Sequence, residues 1–254
     1  MDVDFGRTSE DYGRYRAGFP TALFERLAAR GIGLPGQRVL DLATGTGTMA
    51  RHLALRRCQV TALDVAEAQL EQARQLDRAA GVRVTYLVAP AEETGLPAAG
   101  FDVVTAGQSW HWFDRPRAAR EVRRLLVAGG RLVIAYLDWL PLAGSVVQAT
   151  EALILRYHPA WPYANDTGLH PEWSPGLARA GFSNIETFSF DLDIPYSHEA
   201  WRGRIRASAP IGASLPPEEV AAFDDELKSL LAGRFPQDPL AIPHRVFAIT
   251  CTSS

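Results

Sequence analysis

The chain has little cysteine and almost no lysine: two cysteines, Cys58 and Cys251, and one lysine, Lys228, in 254 residues. Two isolated cysteines exclude a disulfide framework and fit a reducing compartment, so a cytoplasmic location is expected. The other basic side chains, histidine apart, are arginine; in so alanine-rich a chain this bias reads as genome composition. No apolar run reaches the ~20 residues of a membrane span. The first sixteen residues, MDVDFGRTSEDYGRYR, are charged and lack an apolar core, so no signal peptide is expected. A formal net charge of −3 gives no electrostatic case for nucleic acid or an anionic membrane. The histidines show no His-Glu-x-x-His spacing and the cysteines form no pair, so no metal is expected. Repeats and low-complexity tracts are absent.

The chain does have an ordinary globular composition, 47% apolar and 22% charged, at a length that buries a large core. Strand-length apolar runs alternate with helical patterns, which predicts a parallel sheet with crossover helices. Strands are expected at Arg38–Leu42, Val60–Asp64, Val84–Ala89, Phe101–Ala106 and Arg131–Leu137. Helices are expected near Thr21–Arg30 and at Gly47–Arg56, Ala66–Ala80 and Arg117–Leu126. In the last of these, Ala118, Val122, Leu125 and Leu126 form the inward stripe, and Arg117, Arg120, Arg123 and Arg124 are expected to face water. After Leu137 the rhythm changes: helical patterns at Leu142–Tyr157, Ser174–Ala180, His198–Arg206 and Pro217–Leu231, and strand patterns at Asn184–Ile194 and Arg245–Cys251. All six tryptophans fall at Trp110 or later, either as core or as lining for a small apolar ligand.

The most informative stretch is VLDLATGTGTMA, Val39–Ala50: an apolar strand with an acid, a Gly-Thr-Gly turn, and the start of a helix. Gly45 and Gly47 have no Cβ, so a ligand can approach the main chain closely. Gly45-x-Gly47-x-x-Ala50 also satisfies the dinucleotide pattern, and Asp64, 19 residues after Gly45, stands where a ribose hydroxyl is bound. Asp41 is expected to face the glycines, which favours a ligand carrying positive charge over a diphosphate. S-adenosylmethionine, with an ammonium and a sulfonium, meets that requirement.

With these motifs in order, the chain resembles the class I S-adenosylmethionine-dependent methyltransferases, in particular the small-molecule branch of ubiquinone and trans-aconitate type. The resemblance covers residues 5 to 138 strongly and runs more loosely to PHRVFAITCT, Pro243–Thr252. The family's D-x-G-x-G-x-G reads Asp41-Leu42-Ala43-Thr44-Gly45-Thr46-Gly47 here, with Ala43 in place of the first glycine. The resemblance places Asp64 at the ribose and Val65 beside the adenine. VAPAEETGLP, Val88–Pro97, matches the family's D-A-E-x-L-P segment, with Pro90 replacing the acid; Ala91 and Glu92 remain as adenine contacts. Tyr15 and Arg16, in DYGRYR, fall near the methionine carboxylate. FDVVTAGQSWHWFD, Phe101–Asp114, matches the fourth strand and the loop where the methyl emerges, with Gln108 beside donor or acceptor.

The resemblance implies a doubly wound, mostly parallel seven-stranded Rossmann-like sheet with an antiparallel last strand and a C-terminal lid. It implies one domain, with residues 1–138 as cofactor core, 139–243 as acceptor-side lid and insert, and 244–254 as last strand and tail. The implied activity is methyl transfer to a small organic molecule at an oxygen, nitrogen or carbon, possible in secondary metabolism, with S-adenosylhomocysteine as product. His111 is the candidate general base, since imidazole titrates near working pH; a structural histidine is the other reading. The Asn/Asp-Pro-Pro-Tyr/Phe motif of enzymes methylating nucleic-acid bases is absent, so the expected partner is a small-molecule acceptor. The arginines of Trp201–Arg206 either clamp an acceptor carboxylate or pair with Asp191, Asp193 and Glu199. A nucleotide-dependent oxidoreductase is the alternative enzyme class. The Tyr-x-x-x-Lys pair of short-chain dehydrogenases is impossible, because Asp224 stands four residues before Lys228. A third alternative is a donor-binding module without chemistry.

Overall fold

The computed structural model describes residues 17–253. They fall into two compact units. The larger comprises Gly18–Leu137, His170–Ser189 and the chain from Val246; the smaller comprises Ala17, Asp138–Leu169 and Phe190–Arg245. The elements, in chain order, are α1 (Thr21–Ala28), β1 (Arg38–Leu42), α2 (Thr48–Leu55), β2 (Gln59–Asp64), α3 (Glu67–Ala80), β3 (Thr85–Val88) and β4 (Phe101–Gly107). There follow α4 (Arg115–Leu125), β5 (Leu126–Trp139), α5 (Val146–Tyr157), α6 (Ser174–Arg179), β6 (Phe182–Tyr196), α7 (His198–Arg206), α8 (Pro217–Arg234) and β7 (Leu240–Ser253).

The seven strands form one sheet in the order β3-β2-β1-β4-β5-β7-β6. β1 pairs in parallel with β2 and β4, β2 with β3, and β4 with β5; β7 is the antiparallel last strand. Strands following β1 extend to one side as far as β3, and then the chain returns to add β4 on the other side. This reversal leaves a crevice beyond the carboxyl ends of β1 and β4, where ligands bind in open α/β sheets. Two turns border it: Ala43–Gly47 after β1, and Gln108–Trp112 after β4.

Burial follows the expected periodicity. The central strands β1 and β4 are largely buried on both faces, and Leu40, Leu42, Val104 and Ile134 join Phe247 and Ile249 in the core of the larger unit. The smaller unit has its own core, in which Trp201, Phe223, Leu227, Leu231 and Ile242 are fully buried. α4 begins two residues before the expected start, because Asp114 accepts the Arg117 N–H as its cap and Pro116 fits the first turn. β5 follows α4 without a loop, five residues before its expected start, and β7 also extends past its expected ends at both termini. One arginine of α4 departs from expectation. Arg123 is only partly exposed and donates to the Ala180 carbonyl at 3.0 Å, against Gly181, whose lack of a side chain admits the guanidinium.

Behind the first turn a polar network joins α2, α3 and β3. Arg51 donates to Asp77 at 2.8 Å and to the Thr46 carbonyl at 2.7 Å, and the Tyr86 hydroxyl donates to the second Asp77 oxygen at 2.7 Å. Asp77 is buried, so removing it strands a poorly solvated guanidinium. Asp77→Ala is expected to lower unfolding free energy by about 3 kcal/mol in urea titration. Asp102→Ala, which breaks the solvated pair with Arg38, serves as a comparison with a much smaller loss. Equal losses would show that the Asp77 network does not brace the turn.

Candidate active site

The first turn is built by chain conformations that side chains disfavour. Gly45 has φ 55° and Gly47 φ 78°. A Cβ on Gly47 would lie 2.7 Å from the Tyr86 hydroxyl, so this position is closed to every other residue on two counts. Ala43, in the family's first glycine position, keeps a glycine-like φ of 46°. It therefore carries strain on the order of 1 kcal/mol rather than reshaping the turn. The turn's N–H groups point largely inward: Thr44 donates to Leu63 O at 2.9 Å and Gly47 to Thr44 O at 3.0 Å. Gly45 N–H donates to the Asp64 carboxylate at 2.8 Å.

Asp64 sits at the end of β2 and also accepts from the Ala66 N–H at 2.9 Å. Next to it in sequence Val65 is 69% exposed, and Val88, paired with Asp64 across the strands, is 56% exposed. Two bare valines beside a fixed carboxylate make an apolar floor with a hydrogen-bonding edge. Gln69, in the first turn of α3, was not singled out from sequence. Its Oε1 is buried without a partner and lies 4.0 Å from where a Gly45 Cβ would be. An orphaned amide against the glycine turn is a group waiting for a ligand polar atom.

Asp41 lies beneath the turn instead of facing across it. It is 1% exposed, and its oxygens accept from the Thr44 and Thr105 hydroxyls, both at 2.6 Å. Burial pushes its pKa from 3.8 to about 6, against the opposing pull of those hydroxyls and the Ala50 N–H. Its charge acts on the crevice through the turn, with no route for direct contact.

At the second turn Gln108 also has a positive φ, 60°, and its side-chain amide donates to Leu137 O at 2.5 Å. Ser109 Oγ donates to Leu42 O at 3.3 Å, joining this turn to the end of β1. Trp110 is buried, while His111 and Trp112 are exposed. The His111 ring is fixed: Nδ1 is 2.6 Å from the Tyr136 hydroxyl, which also accepts the His111 backbone N–H at 3.1 Å. Tyr136 on β5 is itself packed against His170 and Trp173, with ring centroids 4.7 and 4.8 Å away. Tyr136 falls inside the expected strand Arg131–Leu137, but its link to His111 depends on how the chain folds around it.

Of the remaining expected contacts, Ala91 packs its methyl into the core and Glu92 Oε1 accepts the Asp114 N–H at 2.9 Å, tying the segment after β3 to the start of α4. Tyr15 and Arg16 lie outside the described residues. In the Trp201–Arg206 cluster, Arg202 and Arg206 are ion-paired, with Glu199 as expected and with Asp224 rather than Asp191 or Asp193; Asp191 pairs with Arg245.

Because Asp41 is more basic in the folded chain than unfolded, the native state holds the extra proton between pH 4 and 6. Its contribution to stability is therefore most favourable below pH 4, is lost as pH rises, and is fully lost above 6. Asp41→Asn is expected to gain on the parent by about 3 kcal/mol across that window and to hold the gain above it. Paired thermal melts from pH 4 to 8 check this; a constant difference would contradict it.

Comparison with known proteins follows the same lines. A methyltransferase domain family matches residues 40–134. An uncharacterized methyltransferase of Mycobacterium tuberculosis is 33% identical over 153 residues, covering 58% of this chain and 60% of that relative. The chain thus spans 60% of the length of this mycobacterial protein. A ubiquinone biosynthesis O-methyltransferase of Xanthomonas axonopodis pv. citri is 32% identical over 177 residues, 68% of this chain and 72% of the relative. Among solved structures, a candidate type II methyltransferase from Anaeromyxobacter dehalogenans superposes with a TM-score of 0.64 at 26% identity, covering 94% of this chain and 97% of that one. With the glycine turn, the carboxylate at the end of β2 and the sheet order all in place, the chain belongs to the class I S-adenosylmethionine-dependent methyltransferases.

Proposed function

We propose that the protein methylates a small organic acceptor, with S-adenosylmethionine held at the crevice beyond β1 and β2 and the acceptor addressed by the turn after β4. The observation that carries this reading is the Gly45 amide bound to the Asp64 carboxylate. A turn that already binds a carboxylate, with further amides bonded to carbonyls, is a poor cradle for a diphosphate. It suits a nucleoside whose charge is positive. Asp64 is placed to accept from ribose hydroxyls, Val65 and Val88 offer apolar surface to a base, and the unpartnered Gln69 oxygen supplies one more acceptor. Glu92 and the main chain at Ala91 complete the candidate donor contacts, with Gln108 near the transfer point.

Bound there, the donor supplies a methyl carbon made electrophilic by the adjoining sulfonium. This chain's own residues have to align the nucleophile and keep water out. Trp110 and Trp112 flank His111 and give its turn an apolar setting. His111 is held by Tyr136 and takes the proton from an acceptor that carries one on its nucleophile. We read residues 1–138 as the donor core and segments within 139–243 as acceptor-side.

Calorimetric titration with S-adenosylhomocysteine is expected to give micromolar binding, and titration with NADH no heat. The reverse pattern would establish a nucleotide oxidoreductase. In a screen of acceptors with methyl-labelled donor, His111→Ala should lower kcat at least 100-fold, the low end for a lost proton acceptor, while S-adenosylhomocysteine affinity stays within twofold. Unchanged turnover at saturating acceptor would remove His111 from the chemistry.

A further inference from the structure

α7 carries three arginines in the smaller unit, and two of them are accounted for. Arg202 Nε and Arg206 Nη1 reach the same oxygen of Asp224 on α8 at 3.0 and 2.8 Å, and Glu199 takes both at 3.2 and 3.3 Å. Arg204, midway between them in sequence, projects from the other side of the helix. Its guanidinium lies over Trp139, 5.0 Å from the ring centroid. Among the described residues it has no hydrogen-bond acceptor and no ion-pair partner. Asp138 and Tyr196 act on it only through space.

The side chain is nevertheless only partly exposed. That partial exposure leaves the residue reachable from solvent. The surroundings are aromatic. Trp139 meets Trp161 and Trp201 edge-on at 6.4 and 5.5 Å, and Tyr196 meets Trp201 at 5.5 Å and stacks on His244 at 6.2 Å. Burial, and then Arg204 itself, push His244 down to about 4, so it is neutral and adds no second charge at neutral pH. Burial also lowers the Arg204 pKa, a sign that the cation is undersolvated where it stands. Stacking on Trp139 offsets part of the cost of an undersolvated cation, and among the described residues no carboxylate completes it.

We propose that Arg204 anchors a small carboxylate in the smaller unit, with Trp139 as its aromatic wall. The planar guanidinium matches a carboxylate through two parallel N–H donors, and indole stacking favours a carboxylate borne on a flat or aromatic body. The site stands on these residues alone and does not depend on the methyl-transfer reading.

The test uses benzoate and its neutral isostere benzamide on the full chain, followed by tryptophan fluorescence and calorimetry. Wild-type protein is expected to bind benzoate saturably and at least tenfold more tightly than benzamide. Arg204→Met, which keeps the volume and removes the charge, should lose that tenfold preference and unfold at higher temperature. Arg204→Lys keeps the charge without the fork, and should fall between the two. Equal binding of benzoate and benzamide by the wild type, no saturable benzoate binding, or benzoate affinity retained in Arg204→Met would each overturn the proposal. S-adenosylhomocysteine titration of the same samples separates the two readings: its failure in the wild type would reject the donor site and leave the benzoate result standing.

Discussion

A carboxylate shut in at the end of β1 organises the site. Asp41 fastens the first turn through Thr44 and the neighbouring strand through Thr105, at the point where the sheet order reverses. Burying it is unfavourable, as its elevated pKa records. The two hydroxyls and the Ala50 amide recover part of that cost and fix the geometry in return. With the turn so held, the Gly45 amide is aimed at Asp64, and Gly47 starts α2 in a conformation no other residue adopts comfortably. Thr44, Gly45 and Gly47 thus derive their positions from one buried charge. Backbone strain at Ala43 and Gln108 is concentrated at the same ends of β1 and β4, where a stable scaffold can hold it.

The glycine turn, the Asp64 carboxylate at the end of β2 and the alternation of elements were legible because they are local. Each is a short pattern whose meaning depends on spacing within one strand–turn–helix unit, and each appears where its spacing put it. Element ends were less legible. β5 and β7 outrun their apolar patterns because pairing with neighbours, rather than composition, decides how far a strand continues. α4 starts early because Asp114 and Pro116 are start signals that outweigh the periodicity.

What the sequence withheld was pairing. That Asp41 turns to Thr105, that Arg123 turns inward to a carbonyl, and that Arg202 and Arg206 choose Asp224 are facts about residues far apart in the chain. Thr105 is 64 residues from Asp41, and Asp224 is 22 from Arg202. Gln69 had a faint signal, a polar residue in the first turn of the helix after Asp64. The Arg51–Asp77–Tyr86 network had none, since a buried aspartate on an otherwise polar helix reads as a solvated one.

The link between His111 and Tyr136 constrains any proton transfer more tightly than the presence of an imidazole does. The Tyr136 oxygen already accepts the His111 backbone N–H. When its hydroxyl hydrogen is donated to Nδ1, the neutral ring carries its proton on Nε2 and has no free lone pair to offer. When Nδ1 carries the proton and donates to the same oxygen, the Nε2 lone pair is the ring's acceptor, and the phenol accepts two bonds and directs its own hydrogen elsewhere. Only the second arrangement makes His111 a base. As it takes a proton, the imidazolium keeps its Nδ1 bond to an oxygen that remains neutral, so Tyr136 orients the ring without supplying a counter-charge.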